Sequence, residues 1–157
     1  MKTNQKAELA LCVAGLGVSG YLSLVHLTEG QITLVCSTSG AINCERVTTS
    51  AQSMVGPLPV AFLGVGWFLV MLGLVMSSTN ASWSWASLAW AFGGVAFVLY
   101  LIYAELFLIG AICLWCTVVH LLVVALFLMN LATWATVLDE AAVATDRPRH
   151  DSRCRAR

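Results

Sequence analysis

The chain has 157 residues, of which 59% are hydrophobic and only 10% are charged, and its formal net charge is zero. A soluble globular domain carries about 25% charged residues, so this composition excludes a disordered chain, a nucleic-acid-binding protein and an ordinary water-soluble enzyme. Asp, Glu, Lys and Arg are all missing from residues 47–104 and from residues 106–138. The length fits one membrane domain.

Four segments are long and apolar enough to cross a bilayer, which takes about 20 residues as a helix. Helices are expected because backbone polar groups find no water to bond in lipid. The first apolar run is too long for a signal peptide and lacks a cleavage site, so we expect it to stay as an anchor. The sequence therefore predicts an all-α membrane protein, a bundle of four helices at about residues 9–28, 58–76, 83–107 and 109–133.

Cation placement predicts the orientation of these spans. Lys2 and Lys6 precede the first span and five arginines follow the last one. An even number of spans puts both ends on one side, and the positive-inside rule makes that side cytoplasmic. Residues 29–57 then form an outer loop, and Pro57 and Pro59 mark where this loop gives way to the second span. Residues 1–140 form the membrane domain, and residues 141–157 are expected to be a disordered charged cytoplasmic tail.

Four of the six cysteines fall on the outer side in this topology. Cys36 and Cys44 lie in the outer loop, separated by seven residues, and Cys113 and Cys116 lie at the outer end of the fourth span. Disulfides persist on the oxidising side of a membrane. We expect Cys12 to serve as a small apolar side chain inside the first span, and the remaining cysteine, in the tail, is given no role.

The spacing of the second pair suits thiol chemistry. Residues at i and i+3 share a helix face, so Cys113 and Cys116 can reach each other. A pair near a helix N-terminus meets the positive end of the macrodipole, which favours the attacking thiolate. Cys44 has a similar setting, since Asn43 is a good N-cap and residues 44–54 are predicted to form a short helix over the membrane surface.

Two interpretations of the cysteines remain at this point. The four cysteines could form two structural disulfides in a membrane scaffold. A disulfide across one helical turn restrains little chain, however, so its contribution to stability is small. A long loop that holds a second pair favours a redox relay between the pairs.

These residues resemble the vitamin K epoxide reductase family, in particular its bacterial members that act in disulfide bond formation. The similarity covers about residues 9–133. It rests on Cys36 and Cys44, on the stretch Cys-Glu-Arg-Val-Thr-Thr-Ser that begins at Cys44, and on the pair Cys113 and Cys116 that opens the last span.

The resemblance implies a four-helix bundle that encloses a quinone and is capped by the outer loop. It implies that Cys116 faces the quinone ring, that Cys113 exchanges with Cys36 and Cys44, and that Ser50 lies beside the quinone. The implied activity passes electrons from a reduced extracytoplasmic thioredoxin-fold protein, through both cysteine pairs, to menaquinone or ubiquinone in a bacterial plasma membrane.

The sequence departs from the family pattern in two respects. It shows no fused thioredoxin-like domain, so we expect the redox partner to be a separate protein. His120 stands where the vertebrate enzymes have a quinone-bonding tyrosine, and no asparagine stands near Val60, where they have their other quinone-bonding side chain. These differences favour plain quinone reduction over the alternative, reduction of vitamin K epoxide.

Three ionisable residues lie near the predicted outer side, namely His120, Glu105 and His26. His120 lies at i+4 from Cys116 on the same helix face, where an ionisable group is a functional candidate by default; its alternative role is a neutral imidazole bonded to a neighbouring helix. Glu105 and His26 lie near the outer boundary, and we expect both to be solvated interfacial groups.

Overall fold

The chain forms long helices that are joined at one end by a small region of short elements. The computed structural model describes residues 3–28, 36, 42–77 and 81–146. Its long helices are α1 (Thr3–Leu27), α3 (Val60–Ser77), α4 (Ala81–Tyr103) and α5 (Leu114–Asp146). The short elements are the helix α2 (Cys44–Thr48), a 3₁₀ turn (Ala51–Ser53), the strands β1 (Met54–Val55) and β2 (Leu58–Pro59), and a π-helical turn (Ala104–Ile109).

Each long helix contains a segment that can cross a membrane by length and composition. These segments are Asn4–Leu27, Val60–Ser77, Trp85–Ile109 and Leu114–Val143. Large apolar side chains on their outer surfaces are exposed, which suits helices in contact with lipid acyl chains. The prediction of an all-α membrane protein with four spans is therefore confirmed, and the protein is an integral membrane protein.

The last helix differs from its predicted range at both ends. It begins at Leu114 rather than near 109, because Gly110 adopts a left-handed backbone conformation (φ 67°) that ends the preceding helical turn. It continues to Asp146, since the stretch from Asp139 onward is rich in alanine, the best helix former. Residues 141–146 of the predicted tail are thus helical, and residues 147–157 lie outside the described part of the chain.

The long helices pack in a ring in chain order. Helix α1 packs against α3 and α5, and α4 packs against α3 and α5. Gly15 of α1 lies so close to the Phe68 ring that no Cβ fits between them, and this contact brings α1 and α3 together. Phe68, Met71 and Leu126 are fully buried at the centre of the bundle beside Cys12, which confirms the apolar role expected for this cysteine.

The described residues between α1 and α3 form short elements that end where α3 begins. Gly56, at φ 62°, turns the chain between β1 and β2, which pair antiparallel. Helix α2 is shorter than predicted because the hydroxyls of Thr48, Thr49 and Ser50 bond to backbone carbonyls three or four residues back, an alternative to continued helix. Helix α3 starts directly after Pro59, as the prolines predicted.

Candidate functional site

The outer-loop cysteines are joined to each other at the start of α2. Cys36 and Cys44 form a disulfide with their Cα atoms 6.1 Å apart. The side-chain oxygen of Asn43 accepts a hydrogen bond of 2.9 Å from the backbone N–H of Arg46, which confirms Asn43 as the N-cap of α2. Cys44 is fully buried, whereas Cys36 is half-buried.

A backbone contact attaches this region to the start of α5. Ile42 forms a parallel bridge with Ile112, and the backbone N–H of Asn43 donates to the carbonyl of Ile112 over 3.1 Å. Cys44 and Cys113 each follow one of these bonded residues. They lie in one buried cluster with Val47, Ile109 and Ala111, against which Cys36, Trp115 and Cys116 pack. The two cysteine pairs therefore meet at one end of the bundle.

The second pair lies at the N-terminus of α5, with both thiols free. Cys113 immediately precedes the helix, and the backbone N–H of Cys116 donates to the Cys113 sulfur over 3.3 Å. The Cys116 thiol also hydrogen-bonds the Cys113 sulfur, and this lowers the pKa of Cys113 from its usual value. Cys113 is thereby prepared to react as a thiolate.

Beneath α2, the bundle encloses a cavity of about 1120 Å³ that all four long helices line. Cys116 lines this cavity, whereas Cys113 is fully buried in the cluster with Cys44. Cys113 is therefore the cysteine buried with the loop pair, and Cys116 is the one that packs against this cluster and also lines the cavity.

The two other residues implied in quinone binding also line the cavity. Ser50 lies at its roof, and its hydroxyl donates to the carbonyl of Val47 over 2.7 Å. His120 is one helical turn beyond Cys116 and is only 6% exposed. Val60 lines the cavity at the start of α3, where the vertebrate enzymes have an asparagine.

The expectation that Glu105 is a solvated interfacial charge is wrong. Only 6% of this residue is exposed, although Leu106, Phe107 and Leu108 beside it are between 52% and 74% exposed. The π-helical turn directs Glu105 inward, where its carboxyl accepts a hydrogen bond from the backbone N–H of Cys113 and lies within hydrogen-bonding reach of the Cys116 thiol. The sequence did contain one indication of this burial, because Glu105 is the one Asp, Glu, Lys or Arg between positions 47 and 138.

The exposure of His26 agrees with the expectation of an interfacial group. It is exposed at the outer end of α1 and lies at the edge of the same cavity.

The lining of the cavity fits a quinone. Most of the lining is apolar, as a flat aromatic ring and its isoprenoid tail require, and a few polar groups converge near Cys116. The Ser50 hydroxyl and the His120 imidazole are two of the lining groups that can bond quinone oxygens.

Comparison with known proteins agrees with this architecture. No curated protein matches the chain. The model of the vitamin K epoxide reductase family, whose members are membrane oxidoreductases that use quinones, matches residues 7–131. This match spans most of the chain, from α1 into α5, and includes all four outer cysteines. The chain therefore belongs to the vitamin K epoxide reductase family.

Proposed function

We propose that the protein passes electron pairs from a reduced thioredoxin-fold protein, through Cys36 and Cys44 and then Cys113 and Cys116, to a membrane quinone. One observation carries this proposal. Cys44 and Cys113 share a buried cluster, while Cys116 lines the large apolar cavity. An electron pair that enters at the outer loop thus has a continuous sulfur route to the bundle interior.

The first step takes place at Cys36, the more exposed of the two loop cysteines. A thiolate of the partner attacks the Cys36 sulfur, a new intermolecular disulfide forms, and Cys44 leaves as a thiolate. The partner's second thiolate then displaces Cys36. The partner is now oxidised and the loop pair carries two electrons.

The second step joins the two pairs. The Cys44 thiolate attacks the Cys113 sulfur of a Cys113–Cys116 disulfide, and Cys116 leaves as a thiolate. Cys36 then attacks Cys44 and restores the loop disulfide, which frees Cys113. The buried cluster supports this assignment because it brings Cys44, rather than the half-buried Cys36, into the same fully buried group as Cys113.

The last step oxidises the inner pair again. A bound quinone supplies a two-electron acceptor that moves within the lipid. Cys116 lines the cavity, Ser50 and His120 would hold the acceptor's oxygens, and closure of the Cys113–Cys116 disulfide would complete the cycle.

We place both ends of the chain on the cytoplasmic side of a bacterial plasma membrane and the four cysteines on the opposite side. The cations near both ends support this orientation. The partner is then a separate extracytoplasmic thioredoxin-fold protein, and the activity supports disulfide bond formation in that compartment.

The proposal is tested by mixing purified protein in detergent with menaquinone or ubiquinone and a reduced thioredoxin-fold carrier, and by following quinol absorbance. We expect turnover by the native chain and loss of at least about 100-fold on Cys116→Ser, since no covalent substitute for the thiolate remains. Cys12→Ala serves as the control, because Cys12 packs in the buried cluster at the bundle centre and belongs to neither cysteine pair.

Serine variants of Cys36, Cys44 and Cys113 complete the series. Each loop variant should lose electron transfer from the protein carrier. If the cysteines are only structural, all four variants lower the melting temperature but reduce quinone at the native rate, and the proposal fails.

A further inference from the structure

Glu105 has a position that the relay does not yet explain. It is the one Asp, Glu, Lys or Arg between residues 47 and 138, and the structure buries it. A carboxyl group inside a membrane protein is costly to keep. Its backbone is fixed as well, because the Glu105 carbonyl accepts the N–H groups of both Gly110 and Ala111 as the chain turns into α5.

The carboxyl touches a reacting atom. It accepts a hydrogen bond from the backbone N–H of Cys113 and lies within hydrogen-bonding reach of the Cys116 thiol, whose single proton can be shared between Glu105 and the Cys113 sulfur. It also lines the cavity together with Cys116 and His120. We propose that Glu105 is a catalytic residue of this site, and that its carboxylate accepts the Cys116 proton when the inner pair is oxidised. This inference rests on the proposed function.

The proton balance of the last step gives such a group a function. Cys116, which leaves the exchange with the loop pair as a thiolate, takes up a proton from the outer water, while Cys113 reacts as the thiolate. Oxidation of the inner pair then breaks the one S–H bond of Cys116, forms the Cys113–Cys116 disulfide and releases two electrons to the acceptor. Glu105 receives the Cys116 proton and would return it to the quinol, which would take its second proton from the outer water.

A purely structural role would not need an acid. The carboxyl also caps the N-terminus of α5 through the Cys113 N–H, and a glutamine oxygen accepts the same bond. Glutamine cannot take a proton from a thiol. Glu105→Gln therefore keeps the cap and removes the proposed function of the residue.

Several other titratable or charged groups lie on the elements around Glu105. Cys113 precedes α5, Cys116 and His120 lie on α5, and helix α2 packs on the π-helical turn. On α2, Glu45 and Arg46 are exposed, and His26 at the end of α1 is exposed at the cavity edge. Exposed charges are screened by water, so the Cys116 thiol remains the proton donor in direct contact with the carboxyl.

The first test uses Glu105→Gln with Glu8→Gln as its matched control. Glu8 is also a buried carboxyl, at 7% exposure, but it lies near the opposite end of the bundle on α1. We expect Glu105→Gln to keep the native melting temperature and to slow quinol formation about 100-fold or more, the usual contribution of a general base. Glu8→Gln should react at the native rate.

The second test needs no quinone. Difference infrared spectra are recorded as the reduced protein is oxidised by diamide, with H₂O and D₂O compared. We expect a carboxylic-acid C=O band that appears with the disulfide, shifts in D₂O, persists in Glu8→Gln and disappears in Glu105→Gln. Absence of this band in the native protein overturns the inference even if Glu105→Gln does not fold.

The outcomes also separate this inference from the function on which it rests. Native turnover by Glu105→Gln, with Cys116→Ser inactive, overturns the role of Glu105 and leaves the relay intact. Native turnover by Cys116→Ser overturns both.

Discussion

The backbone N–H of Asn43 donates to the carbonyl of Ile112 over 3.1 Å, and each of these residues is followed by a cysteine of a different pair. This bond fixes the outer loop against the start of α5. Cys44 and Cys113 are consequently buried in one cluster, although they are 69 positions apart in the chain. The contact links the accessible disulfide to the inner pair without a large movement of the helices.

Gly110 sets the turn that brings Glu105 and Cys113 together. Its φ of 67° is unfavourable for a residue with a side chain, by roughly 1–2 kcal/mol. We expect Gly110→Ala to lower the free energy of unfolding by that amount and to reduce quinol formation. Gly17→Ala is the control, because Gly17 lies in α1 with open space around its Cβ position. Equal stability of the two variants in thermal unfolding would contradict the role of this turn.

The Cys113 thiol should titrate below an ordinary cysteine. Its pKa is lowered first by the hydrogen bond from the Cys116 side chain, which stabilises the thiolate. Cys116→Ala removes that bond, so the Cys113 thiolate should appear only at higher pH. The measurement is the ultraviolet absorbance of the thiolate during a pH titration of a protein that carries Cys36→Ser and Cys44→Ser. The absorbance of the same protein with Cys113→Ala added is subtracted, so that the difference reports Cys113. An unchanged midpoint in Cys116→Ala would show that another interaction controls Cys113.

Ser50 should affect quinone binding more than folding. Its hydroxyl lines the cavity and bonds the Val47 carbonyl over 2.7 Å, so it must turn toward the acceptor or use its free lone pairs. Ser50→Ala should raise the KM for quinone about fivefold, the effect of losing a hydrogen bond worth about 1 kcal/mol. Thr28→Ala removes a comparable hydroxyl bond at the end of α1 and should leave the KM unchanged. A normal KM in Ser50→Ala excludes contact with the acceptor.

Reduction of vitamin K epoxide should not occur. His120 and Val60 line the cavity where the vertebrate enzymes have their tyrosine and asparagine. We expect the protein to reduce the quinone but to leave the epoxide unchanged in a parallel assay with the same reductant. Comparable turnover of the two compounds would show that neither side chain is needed for the epoxide.

Much of this architecture could be predicted from the sequence because its causes are local. Hydrocarbon thickness determines the length of each span, and the even number of spans places the loop pair and the helix pair at the same end of the bundle. The Asn43 cap was visible for the same reason. The inward direction of Glu105 could not be predicted from the sequence, since it depends on a π-helical turn and on the contacts that Cys113 and Cys116 provide in three dimensions.

The central claim is that electrons pass from Cys44 to Cys113, and disulfide trapping tests it most directly. In the Cys36→Ser, Cys116→Ser double variant, these two cysteines lose their usual partners. We expect a Cys44–Cys113 disulfide to form rapidly under mild oxidation and to be found by peptide mass analysis. The matched variant Cys44→Ser, Cys116→Ser should form a Cys36–Cys113 disulfide more slowly. A Cys36–Cys113 bond that forms faster, or a Cys44–Cys113 bond that does not form, would contradict the account.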